Sequence, residues 1–90
     1  RNITGPVVNI DTACSSSLVA VHEAVQKIKN NEIDLAIVAG SKVQFVFSEP
    51  NNFDDDAIMS SDGICRAFDN EATGAAGGEG VAAVILKRLD

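Results

Sequence analysis

The stretch VVNIDTACSSSLVAVHEAVQKIKNNEIDLAIVAG, residues 7–40, decides the fold. It opens with a short extended run, residues 7–11, which follows the turn-forming pair Gly5-Pro6. Near its end, residues 33–39 (IDLAIVA) are almost wholly apolar, which is typical of a strand covered on both faces. Two such strands with a helix between them make a βαβ unit, whose parallel strands are joined by a right-handed crossover. The sequence therefore predicts an α/β fold.

The helix of this unit is predicted from the spacing of its apolar side chains. They recur at steps of three or four residues, which places them on one helical face. Two lysines in the last turn suit the helix dipole, and the Asn-Asn pair at residues 30–31 is a stop signal. The apolar positions are Leu18, Val21, Val25 and Ile28.

The second half of the chain has weaker periodicity. Residues 61–63 (Ser-Asp-Gly) indicate a turn, and the glycine-rich run at residues 74–80 lets the backbone approach another group closely. Residues 81–86 (VAAVIL) predict a further buried strand. Between the strands, apolar side chains are expected to anchor residues 41–80: Phe45, Val46, Phe47, Phe53, Ile58 and Met59.

Composition excludes several classes of function. The net charge is −6, whereas nucleic acid and anionic membranes attract clustered lysine and arginine. No apolar run is long enough to span a bilayer. Two cysteines are too few for a disulfide framework, which favours reduced thiols in the cytoplasm over a Cys14–Cys65 bridge. We therefore expect neither a nucleic-acid partner nor a membrane partner.

Cys14 is the candidate nucleophile. It lies between a predicted strand and the first turn of a predicted helix, where unpaired N–H groups and the helix dipole favour a thiolate. Its small neighbours, Ala13, Ser15 and Ser16, suit a sharp turn of the kind that presents a nucleophile in hydrolases. The alternative is a small buried structural cysteine, since free cysteines are often buried. Position alone leaves both interpretations open.

A resemblance bears on that choice. Residues 5–24 (GPVVNIDTACSSSLVAVHEA) closely resemble the active-site segment of β-ketoacyl synthases, especially those of modular polyketide synthases. The similarity continues, in the family's order, through residues 33–41 (IDLAIVAGS), 60–69 (SSDGICRAFD) and 77–89 (GGEGVAAVILKRL). The resemblance implies that Cys14, in DTACSSS, is the acyl-accepting cysteine.

The resemblance also implies a fold and partners. The chain, residues 1–90, is expected to be a fragment of the N-terminal half of one ketosynthase domain, with a partial thiolase-like fold layered αβαβα in the full domain. A complete domain of this family takes an acyl chain from an acyl carrier protein and joins it to a malonyl-type extender by decarboxylative Claisen condensation. The carrier holds the phosphopantetheine, so no cofactor is expected in this domain. The full domain is expected to dimerise through residues 7–10.

Three alternatives stay open. The parent protein could be a non-elongating ketosynthase that only transfers acyl chains, a thiolase relative, or a non-catalytic remnant. Two departures from the commonest family pattern, Ala75 and Gly78, bear on the substrate range and not on Cys14. Alone, the fragment is expected to be inactive, because the resemblance places the histidines for condensation beyond it.

Other candidate groups favour structural interpretations. His22 lies eight residues after Cys14, ~12 Å along a helix, too far to act as its base. Residues 78–83 match a dinucleotide fingerprint variant but precede a strand, and a calcium loop starting at Asp69 would place Gly80 where glutamate is required. The remaining groups are assigned as follows: Asp54, Asp55 and Asp56 to a solvated loop, Glu79 to a buried structural acid, Cys65 to an inert thiol, and Ser15, Ser16 and Ser17 to helix capping and packing.

Overall fold

The computed structural model describes residues 3–43 and 58–90, which fall in two units. Unit 1 comprises Arg1–Ser41 and Val81–Asp90, and unit 2 comprises Lys42–Gly80. Four of the predicted anchors and the predicted acidic loop lie outside the described residues: Phe45, Val46, Phe47, Phe53, Asp54, Asp55 and Asp56.

The described elements form a small α/β arrangement, as predicted. A short 3₁₀ turn, Ala13–Ser15, runs directly into helix α1, Ser16–Lys29. Strand β1, Leu35–Lys42, and strand β2, Gly80–Lys87, pair in a two-stranded sheet. Thus the helix and the last strand lie where the sequence predicts them, while β1 begins and ends later than residues 33–39. No helix in the described ranges has the length and apolar character needed to cross a membrane.

The predicted first strand is wrong for this structure. Residues 7–11 have no regular secondary structure, and the sheet of the described residues pairs β1 with β2. A strand requires a neighbour that accepts and donates its backbone hydrogen bonds. Val7 is 93% exposed and Val8 is also exposed, so this run has no such neighbour within the described chain. The predicted βαβ unit is therefore not formed by residues 7–40.

The inward face of α1 agrees with the predicted one at Ile28, which is buried, and at Val21 and Val25, which are half-buried, but differs from it at Leu18. Ala24 and Ile28 are buried, together with Val38 of β1, but Leu18 is 75% exposed. Ser17 faces β1, because a Cβ added at Gly40 would lie 2.5 Å from its Oγ. Successive helical residues are rotated by about 100°, so Leu18 points away from this contact. Ser17 itself remains exposed, so the buried part of this face is Ala24 and Ile28.

The end of α1 agrees with the predicted stop. Asn31 has φ +57°, the left-handed conformation that closes many helices. Its N–H donates to Ile28 O at 3.2 Å, and the N–H of Glu32 donates to Lys27 O at 3.0 Å, which together form a Schellman motif. Arg88 Nη2 also donates to Ile28 O, at 3.0 Å, and places a cation at the negative end of the helix dipole.

In unit 2, one glycine allows two backbone segments to touch. Ser60 N donates to Ala75 O at 2.8 Å, and Ala75 N donates to Ile58 O at 2.7 Å. Gly74, directly before Ala75 in the chain, has φ +148°. A Cβ at this glycine would lie 2.6 Å from Ile58 O and 2.7 Å from Ser60 N. This confirms at Gly74 the close approach predicted for the glycine-rich run.

Asp62 organises the turn of unit 2. Its carboxylate accepts two hydrogen bonds from the Arg66 guanidinium, at 2.8 and 3.2 Å, one from the Ser60 hydroxyl and one from Ile64 N. The guanidinium contributes most to lowering the pKa of Asp62 from 3.8 to about 2, followed by the Ser60 hydroxyl and the Ile64 amide. Gly63, with φ +75°, donates its N–H to Ser60 O and confirms the predicted turn.

Candidate functional site

Cys14 lies in the 3₁₀ turn that leads into α1, and its side chain is exposed. The predicted junction is therefore confirmed on its helical side, although residues 3–12 contain no strand. A thiol in this place is reachable by a reagent from solvent.

The residue before Cys14 has an unusual backbone conformation. Ala13 has φ +58°, which is uncommon for a residue with a Cβ because the Cβ approaches the following carbonyl oxygen. Its N–H donates to Asp11 Oδ1 at 3.1 Å. An aspartate that accepts from the amide two residues later forms an Asx turn, a recognised local pattern. This contact was not predicted from the sequence, although an aspartate two residues before Ala13 is a signal for it.

Two of the three serines hold the turn in place. Ser16 Oγ donates to Ala13 O at 2.7 Å and accepts from Thr12 N at 2.9 Å. Ser15 Oγ donates to Thr12 O at 2.9 Å and lies 2.7 Å from Thr12 Oγ1. The capping prediction is therefore wrong for these two residues, since their hydroxyls donate to carbonyls of the preceding turn. Ser17 has the predicted packing role, opposite Gly40.

The start of α1 suits an anion beside it. Ser15, at the N-cap, makes no side-chain capping bond, and the first turn contains no acidic residue. The positive end of the helix dipole is then free to interact with a thiolate or an oxyanion at the turn. Backbone N–H groups at such a terminus stabilise the negative charge that develops on a carbonyl oxygen during acyl transfer.

A cleft of about 430 Å³ lies in unit 1 beside α1 and β1. Ser16, Ser17 and Gly40 are among its lining residues, and Cys14 is not. Both serines lie in the first turn of α1, so the start of the helix forms part of one wall, while Cys14, in the preceding 3₁₀ turn, is exposed and does not line the cleft.

The other candidate groups are spread over the two units. His22 is exposed on α1, as expected for a surface role. In unit 2, Cys65 is an exposed free thiol, and Glu79 is exposed, which corrects the prediction that it is buried. Residues 3–43 and 58–90 contain no cluster of three or more histidine, cysteine, aspartate or glutamate side chains that could hold a metal ion.

Known proteins resemble this chain along its whole length. The family model for the β-ketoacyl synthase N-terminal domain matches residues 1–90. Among curated proteins, polyketide synthase PksL of Bacillus subtilis is 47% identical over 98% of the chain. The 6-methylsalicylic acid synthase of Penicillium terrestre is 47% identical over 99% of the chain. These alignments cover 2% and 5% of the two relatives, so the chain spans a small part of their length.

A solved structure shows the same backbone arrangement. It is a cysteine-to-serine variant of the ketosynthase from module 6 of the bacillaene synthase of Bacillus subtilis 168. It superimposes with a TM-score of 0.83 and 45% identity over 96% of this chain and 15% of that one. A second structure of the same ketosynthase gives a TM-score of 0.79 and 48% identity over 89% of this chain and 14% of that one. The matched family model, the relatives and the shared backbone show that this chain belongs to the β-ketoacyl synthase family, N-terminal domain, as found in polyketide synthases.

Proposed function

We propose that this chain is part of one ketosynthase domain and that Cys14 is its acyl acceptor. The observation that carries the proposal is the exposed Cys14 thiol in the turn that leads directly into α1. The thiolate is the nucleophilic form of cysteine. The family resemblance of the DTACSSS segment, residues 11–17, supports the same assignment.

The first half-reaction transfers an acyl group. The Cys14 thiolate attacks the carbonyl carbon of an acyl thioester held on the phosphopantetheine of an acyl carrier protein. The bond between that carbon and the carrier sulfur breaks, and the carrier thiolate leaves and takes up a proton. N–H groups at the start of α1 stabilise the oxyanion formed on the way. The product is an acyl thioester on Cys14.

The second half-reaction forms a carbon–carbon bond. A malonyl-type extender on a carrier protein loses CO₂, and the resulting enolate attacks the acyl carbon on Cys14. The Cys14 thiolate leaves, so the cysteine is ready for another acyl group. The groups that promote decarboxylation are proposed to lie in the rest of the full-length protein, and this domain is proposed to need no cofactor of its own.

The proposal includes a homodimer of the complete domain. Val7 and Val8 are exposed and residues 7–10 have no strand partner in the described chain. An apolar run with unpaired backbone groups is suited to pairing with the same run of a second copy. The exposure of this run supports the proposal.

Alkylation rates test the role of Cys14. Iodoacetamide at neutral pH is added to the full-length protein, and the modified fraction of each cysteine is measured by mass spectrometry of its peptides. Cys65, also exposed and free, is the internal control. The proposal expects fast, selective modification of Cys14. Equal, slow modification of both cysteines would contradict it and favour a non-catalytic remnant.

A second readout separates elongation from simple transfer. If Cys14 loads an acyl group and the full-length protein releases CO₂ from a malonyl thioester while it forms a new carbon–carbon bond, the condensing function holds. If Cys14 loads and unloads acyl groups with no new bond, the protein is a non-elongating acyl transferase of the same family.

A further inference from the structure

We propose that the hydroxyls of Ser15 and Ser16 are positioning groups for Cys14. Their hydrogen bonds to the backbone of Thr12 and Ala13 hold the angles that set the direction of the Cys14 side chain relative to α1. This inference rests on the proposed function, because it takes Cys14 to be the acyl acceptor.

The Ser15 hydroxyl closes a ring around the turn. Ser15 Oγ donates to Thr12 O at 2.9 Å. The chain between these two groups contains the whole backbone of Ala13 and Cys14. The φ and ψ angles of both residues therefore belong to the ring, and a rotation about any of them moves the hydroxyl away from its acceptor.

The Ser16 hydroxyl closes two further rings. Ser16 Oγ accepts from Thr12 N at 2.9 Å, in a ring that again contains Ala13 and Cys14. The same oxygen donates to Ala13 O at 2.7 Å, in a ring that contains Cys14 and Ser15. The Ser16 N–H donates to Ala13 O as well, so the backbone bond and the hydroxyl bond act on one carbonyl. The φ and ψ angles of Cys14 thus belong to all three hydroxyl rings.

The turn depends on such bonds because Ala13 has an unfavourable conformation. Its φ is +58°, in the left-handed region that the Cβ of alanine disfavours. A conformation of this kind persists where the surrounding contacts favour it over the alternatives. Two of the hydroxyl rings contain this angle, so both are disturbed if Ala13 relaxes to negative φ. That relaxation would also rotate Cys14 with respect to α1.

The two hydroxyls act on Cys14 through geometry and not as donors to its sulfur. Each serine hydroxyl carries one proton. Ser16 donates its proton to Ala13 O, and Ser15 donates its proton to Thr12 O. In the 2.7 Å contact between Ser15 Oγ and Thr12 Oγ1, threonine is then the donor. Removing the hydroxyls should therefore slow the reactions of Cys14 by the same factor at every pH.

The test uses the full-length protein with Ser15→Ala, Ser16→Ala, both together, Ser16→Thr, or Ser17→Ala. Ser17→Ala is the matched control, because the Ser17 side chain faces Gly40 of β1 and its Cβ is retained. Alanine forms helices at least as well as serine, so the alanine variants do not weaken α1 through propensity. Three rates are measured: iodoacetamide alkylation of Cys14, alkylation of Cys65, and acyl loading of Cys14 from a soluble acyl thioester.

Ser16→Ala is expected to lower the maximal rate of acyl loading by ~3–10-fold, the change in population that corresponds to about one hydrogen bond. The KM for the thioester should stay nearly constant, since the hydroxyl contacts the turn and not the substrate. Alkylation of Cys14 should slow less than loading, because acyl transfer needs closer alignment. The double variant should load more slowly than either single variant, and Cys65 should alkylate at an unchanged rate in all of them.

Ser16→Thr provides the rescue. A threonine hydroxyl in a helix can donate to the carbonyl three residues before it, which is the bond that Ser16 makes to Ala13 O. Position 16 is half-buried at the wall of the cleft, which leaves room for the added methyl group. Loading by this variant should be close to that of the unaltered protein.

Loading by the double variant within about twofold of the unaltered protein would overturn the role of the two serines. A Ser16→Thr variant as slow as Ser16→Ala, or an equal loss in Ser17→Ala, would overturn it too. A loss that disappears as the pH rises would show that the hydroxyls act on ionisation of the thiol and not on its position. Equal, slow alkylation of Cys14 and Cys65 in the unaltered protein would instead overturn the proposed function, and this role with it.

Discussion

At the scale of single residues, three non-glycine residues in the described part of the chain have a left-handed backbone conformation, each in a different setting. Asn31 ends α1, where asparagine is well tolerated. Ala13 lies in the turn before Cys14, where its N–H donates to Asp11 Oδ1. Phe68, with φ +63°, is the third residue of a four-residue turn closed by the bond from Asp69 N to Arg66 O, a position that usually carries glycine. Positive φ alone therefore does not identify the site. Among these residues, Ala13 is distinguished by the Cys14 thiol that follows it.

Gly74→Ala is expected to open the contact between residues 58–60 and Ala75. Its Cβ would lie within 2.7 Å of three backbone atoms, and its φ is strained for alanine. The local free energy of opening should fall by more than about 1 kcal/mol. Hydrogen exchange at the Ala75 amide in the full-length protein measures it. Gly78→Ala is the control, since a Cβ there meets no described atom within 4 Å; equal exchange in both variants would contradict this account.

The Asp62 turn has a predictable pH dependence. Because the pKa of Asp62 is lowered from 3.8 to about 2 in the folded protein, its contribution to stability is present above pH 3.8. That contribution is lost as the pH falls through about 2. Arg66→Met removes the guanidinium, which is the main cause of the lowered pKa, so the pKa of Asp62 should move back toward 3.8. Carboxylate titration by NMR measures it; a pKa that stays near 2 in this variant would contradict the assignment.

At the scale of elements, the contact between α1 and β1 depends on two small residues. Gly40 of β1 lies against Ser17 of α1, and Ala24 and Ile28 are the buried residues further along the helix. Small side chains at such a crossing let a helix and a strand approach closely. The start of α1, and with it the turn that carries Cys14, is thereby placed against β1.

Gly40→Ala should destabilise this contact by about 1–3 kcal/mol, the usual range for overpacking. The new Cβ would lie 2.5 Å from Ser17 Oγ but 3.6 Å from Ser17 Cβ. Ser17→Ala should therefore relieve most of the effect when it is combined with Gly40→Ala. Hydrogen exchange in β1 of the two single variants and the double variant measures the coupling. Additive effects would show that the two side chains do not meet.

Elements whose signals are local were predictable from the sequence. The stop at Asn31, the strand at residues 81–86 and the turn at Gly63 all depend on residues close in the chain. Features that depend on distant partners were not. Residues 7–11 lack the neighbour that would make them a strand, and the inward face of α1 is set by Gly40. The helix that follows Cys14 was predictable, but the hydrogen bond from Ala13 N to Asp11 Oδ1 was not.

At the scale of the whole molecule, few apolar side chains in the described residues are buried. Ala24, Ile28 and Val38 are buried, whereas Val81, Val84 and Ile85 of β2 are exposed. Strands with this composition are normally covered on both faces. In the solved relative, the matched segment is 15% of a larger chain. We therefore infer that further segments of the full-length protein cover this sheet.

The isolated 90-residue chain is accordingly expected not to unfold cooperatively. Because little apolar surface is buried within it, it should bind a dye specific for exposed apolar surface. It should also show no condensing activity. Calorimetry measures the cooperativity of unfolding, and dye fluorescence measures the exposed apolar surface. A full-length ketosynthase domain is the control. A sharp, calorimetrically two-state transition of the isolated chain would contradict the inference.

The central claim is that the sulfur of Cys14 receives the acyl group. The most direct measurement is acyl loading of the full-length protein from a thioester substrate, followed by mass spectrometry, for Cys14→Ala and for Cys65→Ala. We predict that Cys14→Ala carries no acyl group on this domain and that Cys65→Ala loads as the unaltered protein does. Persistent loading of this domain in Cys14→Ala would contradict the account.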